Sequence, residues 1–293
     1  MAILVSKDTR LVVQGMTGRA GTFYTDQIID YGTTVVGGVR PGRGGTRHLM
    51  LPVFDTVPKA VAETDANASL VFVPAPNAAD AMIEAIEAGI GLVVCVTERV
   101  PILDMVRVRH ALNGSSTRLV GPNSQGLLAP GLAKLGVMSV DDATPGPVGI
   151  VSRSASLTSE IVAQATAAGL GQSTTVGIGG DPIHGVGFVD CLRLFMDDPE
   201  TGAVVLIGEI GGREEEAAAA YLAEAKPEKP VVALVAGRHA PPERRMGHAG
   251  ALELFGEGGA RAKGEALRAA GAHVAPDAAG IVPLLQGALK GRA

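Results

Sequence analysis

The sequence predicts an α/β fold made of two doubly wound domains in tandem. Three observations support this prediction: short, continuously apolar runs alternate with helix-like stretches, Gly-rich turns join them, and the alternation breaks once and then restarts. Continuous apolar strands that alternate with helices are typical of a parallel sheet covered on both faces. With 293 residues, of which 46% are hydrophobic, the chain is long enough for two such domains.

The first half of the chain contains predicted strands that are rich in Val, Leu and Ile. A Gly-rich turn follows the first of them, and helix-like periodicity follows the first and the third. The predicted strands are 10–14, 34–39, 68–73, 91–97 and 118–120, and the predicted helices are 22–31 and 77–89. The polar stretch 141–147, rich in turn-forming residues, then interrupts the pattern and is the best position for a linker.

The second half repeats the alternation. Its predicted strands are 148–152, 175–178, 203–207 and 231–236, and its predicted helices are 157–168, 188–196, 214–225 and 264–271. Ligands in open parallel sheets bind outside the carboxyl ends of the strands. The turns that follow these strands are therefore the places where functional residues are expected.

Composition and charge exclude several classes of protein. The formal net charge is −5, from 25 basic and 30 acidic residues without a basic stripe, so no nucleic-acid partner is expected. We find no apolar run of about 18 residues and no secretory leader pattern, so no membrane span is expected. Cys95 and Cys191 lie far apart and form no CxxC pair, which fits a reducing compartment. We therefore expect a cytoplasmic protein.

The first candidate site is the Gly-rich turn GMTGRAG at 15–21, directly after a predicted strand. Small residues there bring backbone N–H groups and a helix N-terminus close to an anion, although a tight structural turn is an equal alternative. The next strand leads into the loop 37–45, which carries Arg40 and Arg43 and no acidic residue. Two guanidinium groups suit a phosphate better than a ribose. A solvated basic loop is the alternative interpretation.

Three further candidate sites lie in the second half of the chain. His248 is flanked by small residues and has no second His or Cys at i±3 or i±4, so it suits nucleophilic or acid–base chemistry rather than a metal site. An ordinary loop histidine is the alternative. Glu209 follows a predicted strand, where it either contacts a ligand or belongs to the loop that begins the next helix. The strand-to-helix turn around Ser154 could bind phosphate or simply cap a helix.

The order of these motifs closely resembles the α subunit family of succinyl-CoA synthetase (succinate–CoA ligase, NDP-forming). The motifs are GMTGRAGTF, VVGGVRPGRGG, LPVFDTV, FVPAP, GPN, GIVSRSASLT, VGIGGDP, IGEIGG and RRMGHAG. The resemblance extends from residue 2 to about residue 252. Malate–CoA ligase, citryl-CoA synthetase and part of ATP-citrate lyase share the plan.

The resemblance implies a Rossmann-like CoA-binding domain over 1–125, a linker over 126–147 and a flavodoxin-like ligase domain over 148–293. It also implies roles for particular residues. His248 matches the histidine that becomes phosphorylated, and Glu209 matches the glutamate that steadies it. The residues matching the coenzyme A site are Thr17, Gly18, Arg19, Ala20, Arg43 (usually Lys in the family), Val96, Thr97 and Glu98. Ser154 and Ala155 match the helix N-terminus that receives the phosphohistidine.

The resemblance further implies a partner and a set of cofactors. The chain would act with a separate β subunit, as αβ or α₂β₂, and coenzyme A would bind to the chain itself. ATP or GTP and Mg²⁺ would bind to the β subunit. This division agrees with the absence of a GxxxxGK[ST] motif from the sequence.

The sequence departs from the family where the acid is expected to bind. GPNCPG in the family is replaced by GPNSQG, which places Asn123, Ser124 and Gln125 at the acyl site. Ser159 replaces a tyrosine that contacts substrate in the family. These changes alter the volume and hydrogen bonding of the pocket, so we expect the substrate to be a small di- or polyacid other than succinate.

Two other classes of function were weighed. A CoA-binding regulatory paralogue without turnover would keep the fold, but the retained His248 and Glu209 disfavour it. An NAD(P)-dependent oxidoreductase would need a ribose-binding acid and a G-x-G-x-x-G turn, and the sequence has neither at the expected place.

Overall fold

The protein is described by a computed structural model that covers residues 2–241, 243–253 and 257–290. The described residues form two seven-stranded sheets, each covered by helices. The predicted α/β class with two successive doubly wound domains is confirmed. No helix within the described ranges is both long and apolar enough to cross a membrane.

The first sheet has the order β3-β4-β2-β1-β5-β6-β7 and is parallel except for β3, which pairs antiparallel with β4. The strand order reverses between β1 and β5, and this reversal creates a crevice at the carboxyl edge of the sheet. The elements are β1 (Leu11–Gln14), α1 (Arg19–Asp30), β2 (Val35–Val39), β3 (Arg47–His48), β4 (Leu51–Phe54), α2 (Val57–Thr64), β5 (Ala68–Val71), α3 (Ala75–Glu87), β6 (Leu92–Cys95), α4 (Ile102–Leu112) and β7 (Arg118–Val120).

The second sheet has the order β14-β13-β12-β10-β11-β8-β9. Its five parallel strands follow the flavodoxin-like order, with β10 between β11 and β12. The elements are β8 (Gly126–Ala129), β9 (Ala133–Gly136), β10 (Pro145–Ser152), α5 (Ala155–Ala167), β11 (Gln172–Gly177), α6 (Phe188–Asp197), β12 (Ala203–Glu209), α7 (Glu214–Ala225), β13 (Val231–Ala236), α8 (Ala260–Ala269), β14 (His273–Val274), a 3₁₀ turn (Ala278–Gly280) and α9 (Ile281–Lys290).

The stretch 126–147 differs from the linker that the sequence analysis expects. It contains β8, β9 and the start of β10, and β8 pairs antiparallel with β11. Leu127, Leu128 and Leu135 are fully or almost fully buried, because the hairpin packs between the two domains. The prediction failed because strands this short, separated by turn residues, leave only a weak apolar pattern in the sequence.

The β8–β9 hairpin also joins the two domains through hydrogen bonds to the first. Thr33 Oγ1 accepts from the Lys134 backbone N–H at 2.9 Å and donates to the Lys134 carbonyl at 3.2 Å. The buried Lys134 ammonium donates to Gln27 Oε1 at 3.0 Å. One hydrophobic cluster contains residues of both sheets, so the domains share a core.

Helix α1 begins three positions earlier than the sequence analysis expects, inside the Gly-rich turn itself. Gly18 is its N-cap, without a side-chain capping hydrogen bond. Gly21 lies in the first turn of the helix, where any Cβ would overlap the Gly15 carbonyl. The glycines therefore bring the helix N-terminus against the end of β1 and leave its first N–H groups without a capping side chain.

Candidate active site

Four chain segments meet at the carboxyl edge of the second sheet, where the strand order reverses around β10. They are the turn after β10, the turn after β11, the end of β12 and the connection between β13 and α8. They bring together Arg153, Asp181, Glu209 and His248. A reversal of this kind is where doubly wound sheets bind their ligands.

His248 and Glu209, which the sequence analysis selected separately, are in direct contact. The imidazole Nδ1 lies 2.7 Å from Glu209 Oε2. A carboxylate only accepts hydrogen bonds, so Nδ1 carries the proton and Nε2 has a free lone pair in the neutral imidazole. The hydrogen bond to Glu209 raises the pKa of His248; partial burial opposes this shift, and the negative charge of Glu209 adds to it.

Arg153 links this pair to its surroundings, and the sequence analysis did not select it. Its Nε lies 3.1 Å from Glu209 Oε1, and its Nη1 lies 3.5 Å from Glu214 Oε2. The first contact is an ion pair whose N–H is not aligned for a hydrogen bond. The Nη2 group donates to the Asp181 carbonyl at 3.2 Å. One guanidinium group, only 7% exposed, therefore holds two carboxylates and a loop.

A second histidine lies behind Arg153. The Nε2 atom of the buried His184 is 3.0 Å from Glu214 Oε1, and its Nδ1 is 3.1 Å from the Val186 carbonyl. Both ring nitrogens face acceptors, so both contacts are hydrogen bonds only in the imidazolium form. Burial raises the pKa of Glu214, but the hydrogen bond and charge of His184, together with Arg153, outweigh burial and lower it.

Glycine is required where the turn after β11 passes the histidine. A Cβ on Gly180 would overlap the imidazole ring of His248, so the backbone itself forms one wall beside the ring. The neighbouring Asp181 accepts a hydrogen bond from Asn123 Nδ2 at 3.0 Å. Burial is the main cause that raises the pKa of Asp181, and the hydrogen bond from Asn123 opposes the shift.

A cavity of about 230 Å³ opens beside His248, between the two domains. It brings together six of the residues that the sequence analysis selected besides His248: Val96, Glu98, Asn123, Ser124, Gln125 and Ala155. Arg153, Ser152, Val137 and two glycines complete its lining. The cavity therefore contains groups from the first domain, the connecting loop and the second domain.

Four residues that were selected for the chemistry around this cavity lie outside its lining: Glu209, Ser154, Ser159 and Thr97. Ser154 is the N-cap of α5, and its hydroxyl accepts from the Leu157 N–H at 3.3 Å. Ser159 is exposed, and its hydroxyl donates to the Ala155 carbonyl at 3.3 Å. Thr97 donates to the Val73 carbonyl at 2.7 Å. The hydroxyl groups of Ser154, Ser159 and Thr97 are therefore engaged with the backbone.

Gln125 is the unusual member of the cavity lining. The residue is only 8% exposed, and its buried amide Nε2 has no hydrogen-bond partner among the residues that the structure describes. A buried donor left unsatisfied costs about 1–3 kcal/mol. The position therefore favours a ligand that presents a hydrogen-bond acceptor.

A larger cavity, of about 910 Å³, lies at the strand reversal of the first sheet. Thr17, Gly18, Arg19 and Ala20 line it, as do apolar residues that follow β5. Arg40 also lines it and donates from Nη1 to Thr17 Oγ1 at 2.6 Å. Arg43 is exposed and lies outside the lining, although its loop is close by.

This cavity has features that suit a long ligand carrying phosphate groups. The N-terminus of α1 and two guanidinium groups, Arg19 and Arg40, suit phosphate groups. Gly15 has φ +81°, and a Cβ there would touch the backbone of Phe72, so the turn approaches β5 closely. Phe72 and Val73 provide apolar surface for the rest of a long ligand. Thr97, which follows Val96 of the smaller cavity, donates a hydrogen bond to the carbonyl of Val73 in the lining of this one.

The residues that the sequence analysis missed had a local signal in common. Arg153 and Asp181 both follow strands of the second sheet, at the edge where ligands collect. Arg40 follows β2 in the same way; the sequence suggested it, with Arg43, for a phosphate, but it was not assigned to the coenzyme site. Selecting every charged residue within four positions of a strand end would have included all three.

Comparison with known proteins agrees with this geometry. The family described as CoA binding domain matches residues 6–99, and the family described as CoA-ligase matches residues 151–273. A CoA-binding domain followed by a CoA-ligase domain defines the class as an acid–thiol ligase of the NDP-forming type.

The relatives identify the family within this class. Succinate–CoA ligase [ADP-forming] subunit alpha of Aquifex aeolicus is 55% identical over 96% of this chain and 92% of its own length. The alpha 2 subunit of Archaeoglobus fulgidus is 54% identical over 94% and 95%, respectively. The chain belongs to the family of succinate–CoA ligase α subunits. Neither the regulatory paralogue nor the oxidoreductase is favoured.

Among solved structures, ATP citrate lyase from Methanothrix soehngenii in complex with citrate and coenzyme A is similar, with a TM-score of 0.86 and 25% identity. The match covers 99% of this chain and 52% of the lyase chain. The lyase from Methanosaeta concilii has a TM-score of 0.88 at 24% identity and supports the fold alone. This chain spans about half the length of these lyase chains.

The contact between His248 and Glu209 predicts a pH dependence. A nucleophilic imidazole must be neutral, and the contact raises the pKa of His248, so reactivity toward an electrophile should rise with pH around a midpoint above the ordinary histidine value. In Glu209→Gln the midpoint should move to lower pH, because the carboxylate charge is gone, while the plateau rate falls by roughly 100-fold. The measurement is the rate of phosphoryl uptake against pH. An unchanged midpoint and plateau would remove Glu209 from the mechanism.

Proposed function

We propose that the chain is the phosphohistidine-bearing α subunit of a ligase that joins coenzyme A to a small di- or polyacid. The observation that carries this proposal is the pair formed by His248 and Glu209. The 2.7 Å contact fixes the proton on Nδ1 and leaves Nε2 as the nucleophile. The cavity beside that imidazole also contains Ala155, the first residue of α5.

The chemistry follows from the weakness of a carboxylate as an acylating agent. His248 Nε2 accepts a phosphoryl group from a nucleoside triphosphate, forming a P–N bond and releasing the diphosphate. The P–N bond then breaks as a carboxylate oxygen of the acid takes the phosphoryl group, which gives an acyl phosphate. The thiolate of coenzyme A attacks the acyl carbon, and inorganic phosphate leaves.

The surrounding groups suit the charge on a phosphohistidine. Free N–H groups at the N-terminus of a helix hold phosphoryl oxygens, and Ala155 is at that end of α5. Arg153 supplies a fixed positive charge in the same cavity. Ser154 organises the helix end through its capping hydrogen bond to Leu157.

The coenzyme site on this chain comprises Thr17, Gly18, Arg19 and Ala20, and Arg43 in the adjoining loop. We add Arg40, because it lines the same cavity and contacts Thr17. Val96, Thr97 and Glu98 lie between this cavity and the smaller one, where the thiol end of the coenzyme would reach the acid.

The partner is a β subunit that binds the nucleotide and Mg²⁺, in an αβ or α₂β₂ assembly. The relatives are named ADP-forming, which favours ATP over GTP as the donor. A cytoplasmic location remains a prediction. It rests on Cys95 and Cys191, both free and buried, which need no oxidising compartment.

The role of His248 predicts a specific labelling result. Incubation of the α chain and its β subunit with γ-labelled ATP should place acid-labile, base-stable phosphate on the α chain. His248→Asn should abolish that label, since an amide lacks the nucleophilic nitrogen. The matched control is His184→Asn, which removes the other histidine of the cluster. A His248→Asn chain that takes up the full label would refute the proposal.

The coenzyme site predicts a selective effect on Michaelis constants. Arg40→Ala and Arg43→Ala should each raise the KM for coenzyme A, by roughly tenfold or more for a lost hydrogen bond to a charged group. The KM for nucleotide should stay unchanged, because the nucleotide binds elsewhere. Arg261→Ala, an exposed arginine on α8, is the matched control. Equal effects on both constants would mean that the arginines act through the fold.

The acyl site predicts that succinate is not the best substrate. The unsatisfied Gln125 amide favours an acid with an additional hydroxyl, carboxylate or sulfonate. The test is kcat/KM for succinate, malate, citrate and sulfoacetate with the αβ complex. Gln125→Met, which keeps the volume and removes the amide, should reduce kcat/KM for the preferred acid by roughly tenfold and affect succinate less.

The control for the acyl site is Ser159→Tyr, which restores the side chain usual in the family. It tests whether position 159 also selects the acid, since Ser159 lies outside the described cavity lining. A lead of tenfold or more for succinate in the wild-type complex would contradict the prediction.

A further inference from the structure

A completely buried ion pair lies beneath the end of β12. The side chains of Lys263, on α8, and Glu215, on α7, are both 0% exposed. The Lys263 ammonium contacts Glu215 Oε2 and donates to the carbonyl groups of Glu209, at 3.0 Å, and Gly211. An ammonium has three N–H donors, so every one of them is used.

The same pair holds Glu209 at both of its backbone polar groups. Glu215 Oε1 accepts from the Glu209 backbone N–H at 2.9 Å. Lys263 Nζ donates to the Glu209 carbonyl. The residue whose carboxylate faces His248 is therefore fixed on both sides by one ion pair that itself makes no described contact with the imidazole.

Local backbone geometry explains why such a pair is present. The chain leaves the sheet at Glu209 and turns through Gly211, where φ is +86°. Gly211 must be glycine, because a Cβ there would overlap the Gly250 carbonyl in the His248 loop. Carbonyl groups in this turn point away from the regular ladder, and Lys263 supplies the donors that they need.

Stability alone does not account for the pair. Burial raises the pKa of Glu215, and the charge of Lys263 opposes that shift. Replacing a buried ion pair by apolar residues of similar volume is often neutral or stabilising. The presence of an ion pair at this position is therefore better explained by the geometry that it imposes on Glu209.

We propose that Lys263 and Glu215 are positioning residues that aim the Glu209 carboxylate at His248 Nδ1 by fixing both peptide groups of Glu209. This inference rests on the proposed function of His248 for its catalytic consequence. The placement of Glu209 against the imidazole does not depend on whether His248 is phosphorylated.

The test compares Lys263→Met with Lys263→Met/Glu215→Leu in the full α chain. The single variant leaves a buried, unpaired carboxylate and should lose thermal stability. The double variant removes both charges and should recover most of the lost Tm. Phosphoryl uptake by the complex with the β subunit should remain at least about tenfold slower in both, because Glu209 is misplaced. Arg261→Met, which changes an exposed cation on the same helix, is the matched control and should keep the wild-type rate.

A second readout separates positioning from folding. The imidazole of His248 is titrated by NMR in each full-length variant. Losing the 2.7 Å contact should lower its midpoint in the double variant relative to wild type. Glu215→Gln keeps the side-chain volume and one acceptor oxygen, so it tests the positioning role even if the other variants do not fold. This variant should slow phosphoryl uptake several-fold and lower the titration midpoint of His248.

The outcomes are distinguishable. A double variant or Glu215→Gln variant with the wild-type rate and the wild-type titration midpoint overturns the positioning role. A recovered Tm accompanied by a recovered rate also overturns it, because the pair would then be only structural. Absence of phosphate on wild-type His248 would instead refute the proposed function, and the titration would still test the placement of Glu209.

Discussion

The hydrogen bond between His248 Nδ1 and Glu209 is the constraint on which the rest of the site depends. It fixes the tautomer, so the reactive lone pair is on Nε2 rather than divided between two nitrogens. To make this contact, a loop that follows β13 must return to the end of β12. Gly180 and Gly211 allow that return, because side chains at either position would occupy the space of the His248 loop.

The sequence was sufficient for the parts of the molecule that depend on local pattern. Continuous apolar runs predicted the central strands, since a strand buried on both faces needs apolar residues throughout. Contacts between side chains that are far apart in the sequence leave no such pattern. Glu215 is one of three consecutive glutamates in the first turn of α7, a pattern typical of a helix N-terminus, yet it is fully buried against Lys263, 48 residues further along the chain. Sequence alone does not distinguish these environments.

The hairpin β8–β9, which the sequence pattern suggested to be a linker, affects the geometry of the site. It extends the second sheet while its Lys134 contacts the first domain, so it fixes the domains relative to each other. The loop immediately before it carries Gln125 into the small cavity. Gln125 is only 8% exposed and its amide Nε2 is buried, which requires an ordered segment at this position. The acyl pocket therefore depends on the rigidity of this segment.

Charges of both signs lie around His248 and together influence its protonation. Arg153 pairs with Glu209 and with Glu214, and the neighbouring Asp181 adds a third carboxylate. Glu209 raises the pKa of His248, whereas Arg153 lowers it. Without Arg153 the pKa of His248 would rise further, and without Glu209 the imidazole would lose the contact that orients it. Because Arg153 also lines the cavity, the charge that restrains protonation before transfer is in place to attract the phosphoryl oxygens afterwards.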